Sequence, residues 1–400
     1  MTNEDMEFFD EDDTYLEAAE TAHFADAVLH STDWTVETIV SQLARGNIEL
    51  NPRFQRRDAW NVRQKSGFIE SLVLGLPVPQ IVLAEKKGQR GKYIVLDGKQ
   101  RLLALLQFTG NAEGQNNGFR LTGLEARVDL ARKTYEQLNT PLFEGDLNAF
   151  LNYTVRTVVI RNWPSHDFLH LVFLRLNTGS VKLSPQELRQ AMFPGEFSNA
   201  VDDASAASLP LRTLLGITGP DARMRDVELL VRFLAFHFFL PSYPGRMKDF
   251  LDQTCEQLNN GWAQQQQTVA TAIDKFNAGV TLLVGLLGLE VVARKQNSKS
   301  FNRAIFDALI FYAADDTIRD GMARNGPAVR MAYASISADP TFLLASESDT
   351  AGVPNTLTRL SLWGTCLRGA LGMQFNVPVL RPGHPGQPGR VAIDFDGFWA

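Results

Sequence analysis

Before Arg45 the chain contains no lysine or arginine, yet it carries 12 Asp and Glu there. From that absence no secretory signal is expected at Met1-Thr2-Asn3-Glu4-Asp5, which has neither the cationic region nor the apolar core of one. Cysteine is nearly absent too. Cys255 and Cys366 are the only two, which excludes a disulfide framework and zinc spacing and fits a reducing, cytoplasmic setting. Long apolar runs are missing as well. Val227–Leu240 is interrupted by Arg232 and His237, and Gly279–Leu289 is too short to cross a bilayer, so both read as buried helices and no membrane partner is expected.

The missing cations give the chain an uneven charge. The net is −6 overall, but 33 acidic face 39 basic residues from Arg45 onward, so the body is mildly basic and the negative charge belongs to the N-terminal arm. Residues 1–34 read as an acidic, flexible arm with scattered aromatics such as Phe8 and Tyr15. One expectation is a solubilising tail. The other is a polyanion mimic lying over a basic cleft, in a protein whose body meets nucleotide or DNA.

What is present centres on Tyr93-Ile94-Val95-Leu96-Asp97-Gly98-Lys99-Gln100-Arg101. An apolar, β-branched run enters an Asp-Gly pair, and good helix formers follow, which predicts strand, tight turn and helix. Such a junction aims backbone N–H groups and the positive end of the helix dipole at one spot. Arg101 can add a planar fork matched to phosphate. Taken alone, the turn reads as Asp97 capping a helix that carries a solvated Arg101.

Around it, Thr35 predicts an N-cap for a helix ending at Gly46, and Asn61 caps another ending at Gly75. Gln80–Ala84, Phe119–Leu121 and Thr154–Ile160 read as strands, with Glu85–Lys92 as a hairpin-like loop. Asp167–Leu176 reads as a helix. Ser184-Pro185-Gln186-Glu187 has the spacing of a capping box for a helix to about Met192. From Phe193 on, strand signals vanish and helical periodicity recurs over 196–206, 222–239, 246–258, 262–278, 280–293, 301–314, 326–336 and 356–374, before a proline-rich wrapping tail from Val377. The expected plan is an α+β domain with a small mixed sheet over 35–195, then an all-α domain over 196–400.

Three separated segments share one resemblance. Asn51-Pro52-Arg53-Phe54-Gln55-Arg56 with Trp60, Leu96–Arg101, and Phe173-Leu174-Arg175-Leu176-Asn177-Thr178-Gly179 followed by Leu183-Ser184 and Glu187-Leu188-Arg189 resemble, in order, the "P-x-[YF]-Q-R…W", "D-G-x-Q-R" and "F-x-R-[IL]-N-T-G…L-S…E-L-R" motifs of one family. That family is the N-terminal domain of GmrSD-type modification-dependent restriction enzymes, within the ParB/sulfiredoxin-like superfamily, and the resemblance spans about residues 35–192.

It implies that the turn binds a nucleoside triphosphate, GTP or ATP, with Mg²⁺, and leaves hydrolysis open. It also implies a role in anti-phage or restriction-type defence. By matching position, Asp97 would hold a metal-bound water or orient the nucleophile, and Gly98 would let backbone approach the phosphates. Gln100 and Arg101 would contact phosphate oxygens, with Lys99 adding charge beside them. Gln55 and Arg56 would reach the cleft from the first segment, Arg175 and Asn177 from the third. With these donors converging, the turn reads as a phosphate site.

One departure stands out. A partner nuclease of the HNH type needs clustered His and Asn around a metal. The C-terminal half has only His237, on an apolar face, and a distant His384; His166 and His170 also read as structural. The chain is therefore expected to sense or regulate a nuclease supplied in trans. The alternatives are a metal-dependent DNA nicking enzyme using Asp97 in the same cleft, or a non-catalytic, antitoxin-like interaction module. In the helical half, Arg232 is expected to pair with Glu228 one turn away.

Overall fold

The computed structural model describes residues 28–48, 50, 58–112, 117–166, 168–169, 171–172, 184–294, 300–381 and 392–394. The expected sites Gln55, Arg56, Arg175 and Asn177, and most of the helix expected at Asp167–Leu176, lie outside these residues. The chain divides into two compact units, one running to Met192 and including Ala222–Met224, the other comprising Phe193–Asp221 and Arg225 onward.

The first unit is built on a four-stranded mixed sheet of order β1-β4-β2-β3, with β1 Val28–Thr35, β2 Ile81–Glu85, β3 Tyr93–Asp97 and β4 Thr154–Arg161. β1 pairs antiparallel with β4, β4 runs parallel to β2, and β2 pairs antiparallel with β3. The first four residues of both β2 and β3 are buried without alternation, the pattern of strands covered on both faces. Residues 28–34, expected in the flexible arm, are instead an edge strand. The acidic run before it hid it; within the strand Asp33 is the one acid, and it faces Arg156 across the pair.

The covering helices are α1 Val36–Ala44, α2 Val62–Val73, α3 Lys99–Phe108, α4 Glu144–Asn152 and α5 Pro185–Met192. Thr35 caps α1 through the Thr38 N–H, and Asn61 and Gln64 form a capping box on α2. Gly46 and Gly75, at φ +62° and +70°, lie just past these two helices as expected. Phe108 sits fully buried at the end of α3, with the Phe119, Tyr135 and Phe150 rings 5.4, 5.9 and 5.7 Å away. Phe119–Leu121 is not a strand. Leu121 makes one rung with residues 132 and 133, and Arg132, at φ +64°, turns its partner segment away.

The second unit is helical: α6 Glu196–Ala207, α7 Leu209–Leu215, α8 Arg225–Phe239, α9 Met247–Asn260, α10 Trp262–Leu287, α11 Arg303–Ala313, α12 Asp316–Arg324, α13 Gly326–Ile336, α14 Pro340–Glu347 and α15 Val353–Leu371. The periodicity broken at residue 279 is one continuous helix. Gly279 does not end it; the glycine admits the backbone of α11, since a Cβ there would lie 2.9 Å from the Ala313 carbonyl oxygen. This 26-residue helix is long and apolar enough to span a bilayer, contrary to the length argument from sequence, but its Val269, Ala272, Phe276, Val280 and Leu283 are buried within the unit. The expected wrapping tail contains a short antiparallel pair, β5 Val379–Arg381 with β6 Ala392–Asp394.

Arg232 is 1% exposed and grips Asp307 of α11 with Nε at 3.1 Å from Oδ1 and Nη2 at 2.5 Å from Oδ2. Glu228, its expected partner, forms the i,i+4 ion pair only at 4.0 Å and pairs more closely with Arg303, at 3.0 Å. A buried guanidinium needs more neutralisation than an intrahelical i,i+4 pair supplies.

Candidate functional site

The expected strand, turn and helix are present as β3, Gly98 and α3. Between Val82 and Leu83 the register with β3 shifts, because Val82 faces Asp97 while Leu83 faces Val95. Leu96 is the extra residue, and this bulge re-aims Asp97 at the strand end. Gly98 then turns the chain at φ +96°. A Cβ there would stand 3.0 Å from Ile81 Cγ1 and 3.3 Å from Arg101 Nη2, so both backbone angle and space require glycine. No side chain caps α3. Asp97 is therefore not the cap that the isolated turn suggested.

Arg101 is not a solvated charge either. It is 6% exposed, and Nη2 donates to the Gln80 carbonyl at 2.9 Å and to Asp97 Oδ2 at 3.0 Å. Its Nε is buried with no hydrogen-bond partner among the described residues. An unpartnered, buried guanidinium N–H carries a desolvation penalty that an anion can relieve. This donor lies 3.4 Å from where a Gly98 Cβ would be, beside the uncapped helix start.

Lys99 turns inward. Its Nζ meets Glu187 Oε1 of α5 at 2.5 Å, with about 5% of each side chain exposed. Glu187 Oε2 accepts from the Ser184 N–H at 2.7 Å and Ser184 Oγ accepts from the Glu187 N–H at 3.1 Å, so the expected capping box is present and also holds Lys99. The charge placed beside a phosphate by the resemblance is, in this structure, a tie between α3 and α5. Gln100 accepts from the Trp60 N–H at 3.3 Å and anchors the end of the first motif to the helix. Beneath it Asp58 pairs with the fully buried Lys65 and accepts from Gln107 Nε2 at 3.2 Å.

Asp58, Lys65, Gln107 and the role of Glu187 were not read from sequence. Their pairings join residues 7 to 88 positions apart, which local spacing does not encode. Glu70 was missed for the same reason. Its carboxylate accepts from the N–H groups of Glu125, Ala126 and Arg127 at 3.1, 2.9 and 2.7 Å. Burial raises its pKa, but these hydrogen bonds, led by that from Arg127, outweigh it and hold the group below the usual carboxylate range.

Among the described residues no three His, Cys, Asp or Glu side chains cluster to hold a metal ion. A lone Asp97, 18% exposed, suits only an ion that keeps waters and takes further ligands from phosphate, as Mg²⁺ does. Residues 36–194 match the family model for the N-terminal domain of GmrSD restriction endonucleases. Comparisons with curated proteins and with solved structures found no match.

Proposed function

We propose, from the premise that residues 36–194 form a domain of the GmrSD N-terminal type, that this protein is the nucleotide-binding component of a restriction-type DNA defence system. Its small mixed sheet would serve as a ParB/sulfiredoxin-like scaffold, acting in the cytoplasm and regulating a nuclease in trans. A nucleoside triphosphate, GTP or ATP, binds with its phosphates at the Gly98 turn. The observation that carries this reading is the buried Nε of Arg101, unpartnered among the described residues, beside a helix start that none of their side chains caps. Asp97 holds Arg101 in place and offers Mg²⁺ a single carboxylate, while backbone N–H groups of the first turn of α3 and the helix dipole meet the phosphate charge. Gln55, Arg56, Arg175 and Asn177 would complete the cleft.

Thermal shift with GTP or ATP and Mg²⁺ tests the binding, and phosphate release tests turnover. The wild-type chain should melt higher with one nucleotide, and Arg101→Ala should lose that rise. No shift with either nucleotide would leave the interaction-module reading in its place.

A further inference from the structure

We propose that the cationic cleft at the tip of the β2–β3 hairpin docks the phosphodiester backbone of duplex DNA, at a surface separate from the Gly98 turn. The choice of DNA rests on the restriction-type reading above; the site rests on the cleft itself. A hollow of about 730 Å³ is lined by His30, Lys86, Lys87, Arg90 and Arg161, with Glu85 the one carboxylate among the described lining residues. Glu85 pairs across the sheet with Tyr93, while Asp97 pairs with Val82. At the rise of an extended strand, the four steps from Tyr93 to Asp97 put the two sites about 13 Å apart, at opposite ends of one hairpin.

Glu85 both builds the cleft and neutralises one of its cations. Its Oε1 accepts from the Gly91 N–H at 2.9 Å, and its backbone carbonyl accepts from Trp163 Nε1 at 2.7 Å. Arg161 Nε forms an ion pair with Glu85 Oε2 at 3.5 Å and, although buried, makes no hydrogen bond among the described residues. Lys87 is positioned by the Pro164 carbonyl at 2.8 Å and by the Trp163 ring, 4.4 Å from its centroid. Lys86, Lys87 and Arg90 stand on the hairpin tip and Arg161 at a strand end, around one hollow.

The same geometry selects duplex over single strand. Single-stranded binding draws on open aromatic platforms for unstacked bases. Trp163 is 5% exposed and its ring is covered by Lys87, so the one indole lining the cleft is not an open platform for an unstacked base. Contacts of this kind are independent of sequence and release counterions.

The test is fluorescence anisotropy of the full chain with a short duplex across a salt series, beside the variant K86E/R90E. Wild type should bind with a log–log salt slope reflecting several phosphate contacts. The variant should bind at least about tenfold more weakly, with a slope shallower by about two, while its melting curve and any nucleotide-induced shift stay unchanged. Equal affinity and slope for the variant, or stronger binding of a single strand of equal length, would overturn the proposal. So would absence of duplex binding by wild type. Loss of the nucleotide response with duplex binding intact overturns only the reading of the Gly98 turn.

Discussion

Lys99 and Glu187 show what a single pair can decide. Each is shielded from water, so removing one partner strands the other's charge. Lys99→Met should lower stability by about 3–5 kcal/mol, seen as a fall in the urea midpoint at unchanged slope. The double variant K99M/E187L should recover part of that loss; simple additivity of the two single losses would show that the charges are not coupled. His237 gives a pH-dependent case. Burial, aided by the Lys275 charge, pushes its pKa down to about 4 from 6.5. The depressed value means the unfolded chain binds the proton first as pH falls. The contribution is fully present above pH 6.5 and is lost progressively toward pH 4. In His237→Phe the denaturation midpoint should fall less between these values than in wild type. Equal slopes would remove His237 as the cause. The sequence placed this histidine on an apolar face, and in the structure it is half-buried there against the Phe233 and Phe238 rings.

At the scale of elements, two glycines of α10 separate packing from propensity. A Cβ at Gly279 would press on the Ala313 carbonyl and on Ile310 Cδ1, both at 2.9 Å, whereas at Gly285 it meets open space. Gly279→Ala should destabilise by about 1–3 kcal/mol and Gly285→Ala should stabilise by up to about 1 kcal/mol, read from calorimetric melting temperatures. A stabilising Gly279→Ala would mean that α10 and α11 do not approach closely in solution. This pair also marks how far an element can be read locally. Thr35, Asn61 and Ser184 announce their helices because a cap is decided within three residues. The β3–Gly98–α3 junction was legible for the same reason. What Gly279 does was not, since its reason lies on another helix. Nor was the inward turn of Lys99, whose partner is 88 positions along the chain. The strand at 28–35 was hidden because its pairing partner, not its composition, makes it a strand.

For the molecule as a whole, the separation of charge is the property that sequence displays most openly. Residues 1–26 contain ten acids and no Lys or Arg, while the hairpin tip gathers Lys86, Lys87 and Arg90. Deleting residues 1–26 spares β1 and should tighten duplex binding several-fold at about 50 mM salt, with the difference shrinking at about 0.5 M as screening shortens to a few ångströms. Anisotropy titrations of the two chains decide it; identical affinities at low salt would show that the arm does not compete for the cleft.

The pairing of β1 with β4 also sets a timetable. Thr35 meets Thr154 in register, so the strand that leads the sheet cannot be seated until 119 further residues have been added. At 5–20 residues per second, the ribosome needs roughly 6 to 24 s for that stretch. Through this interval β2 and β3 can form their hairpin, and with it the Gly98 turn, while the edge of β2 that β4 will cover stays open. Nascent chains are thus open to wrong strand pairing at that edge before residue 161 emerges, and β1 joins the sheet only after that point.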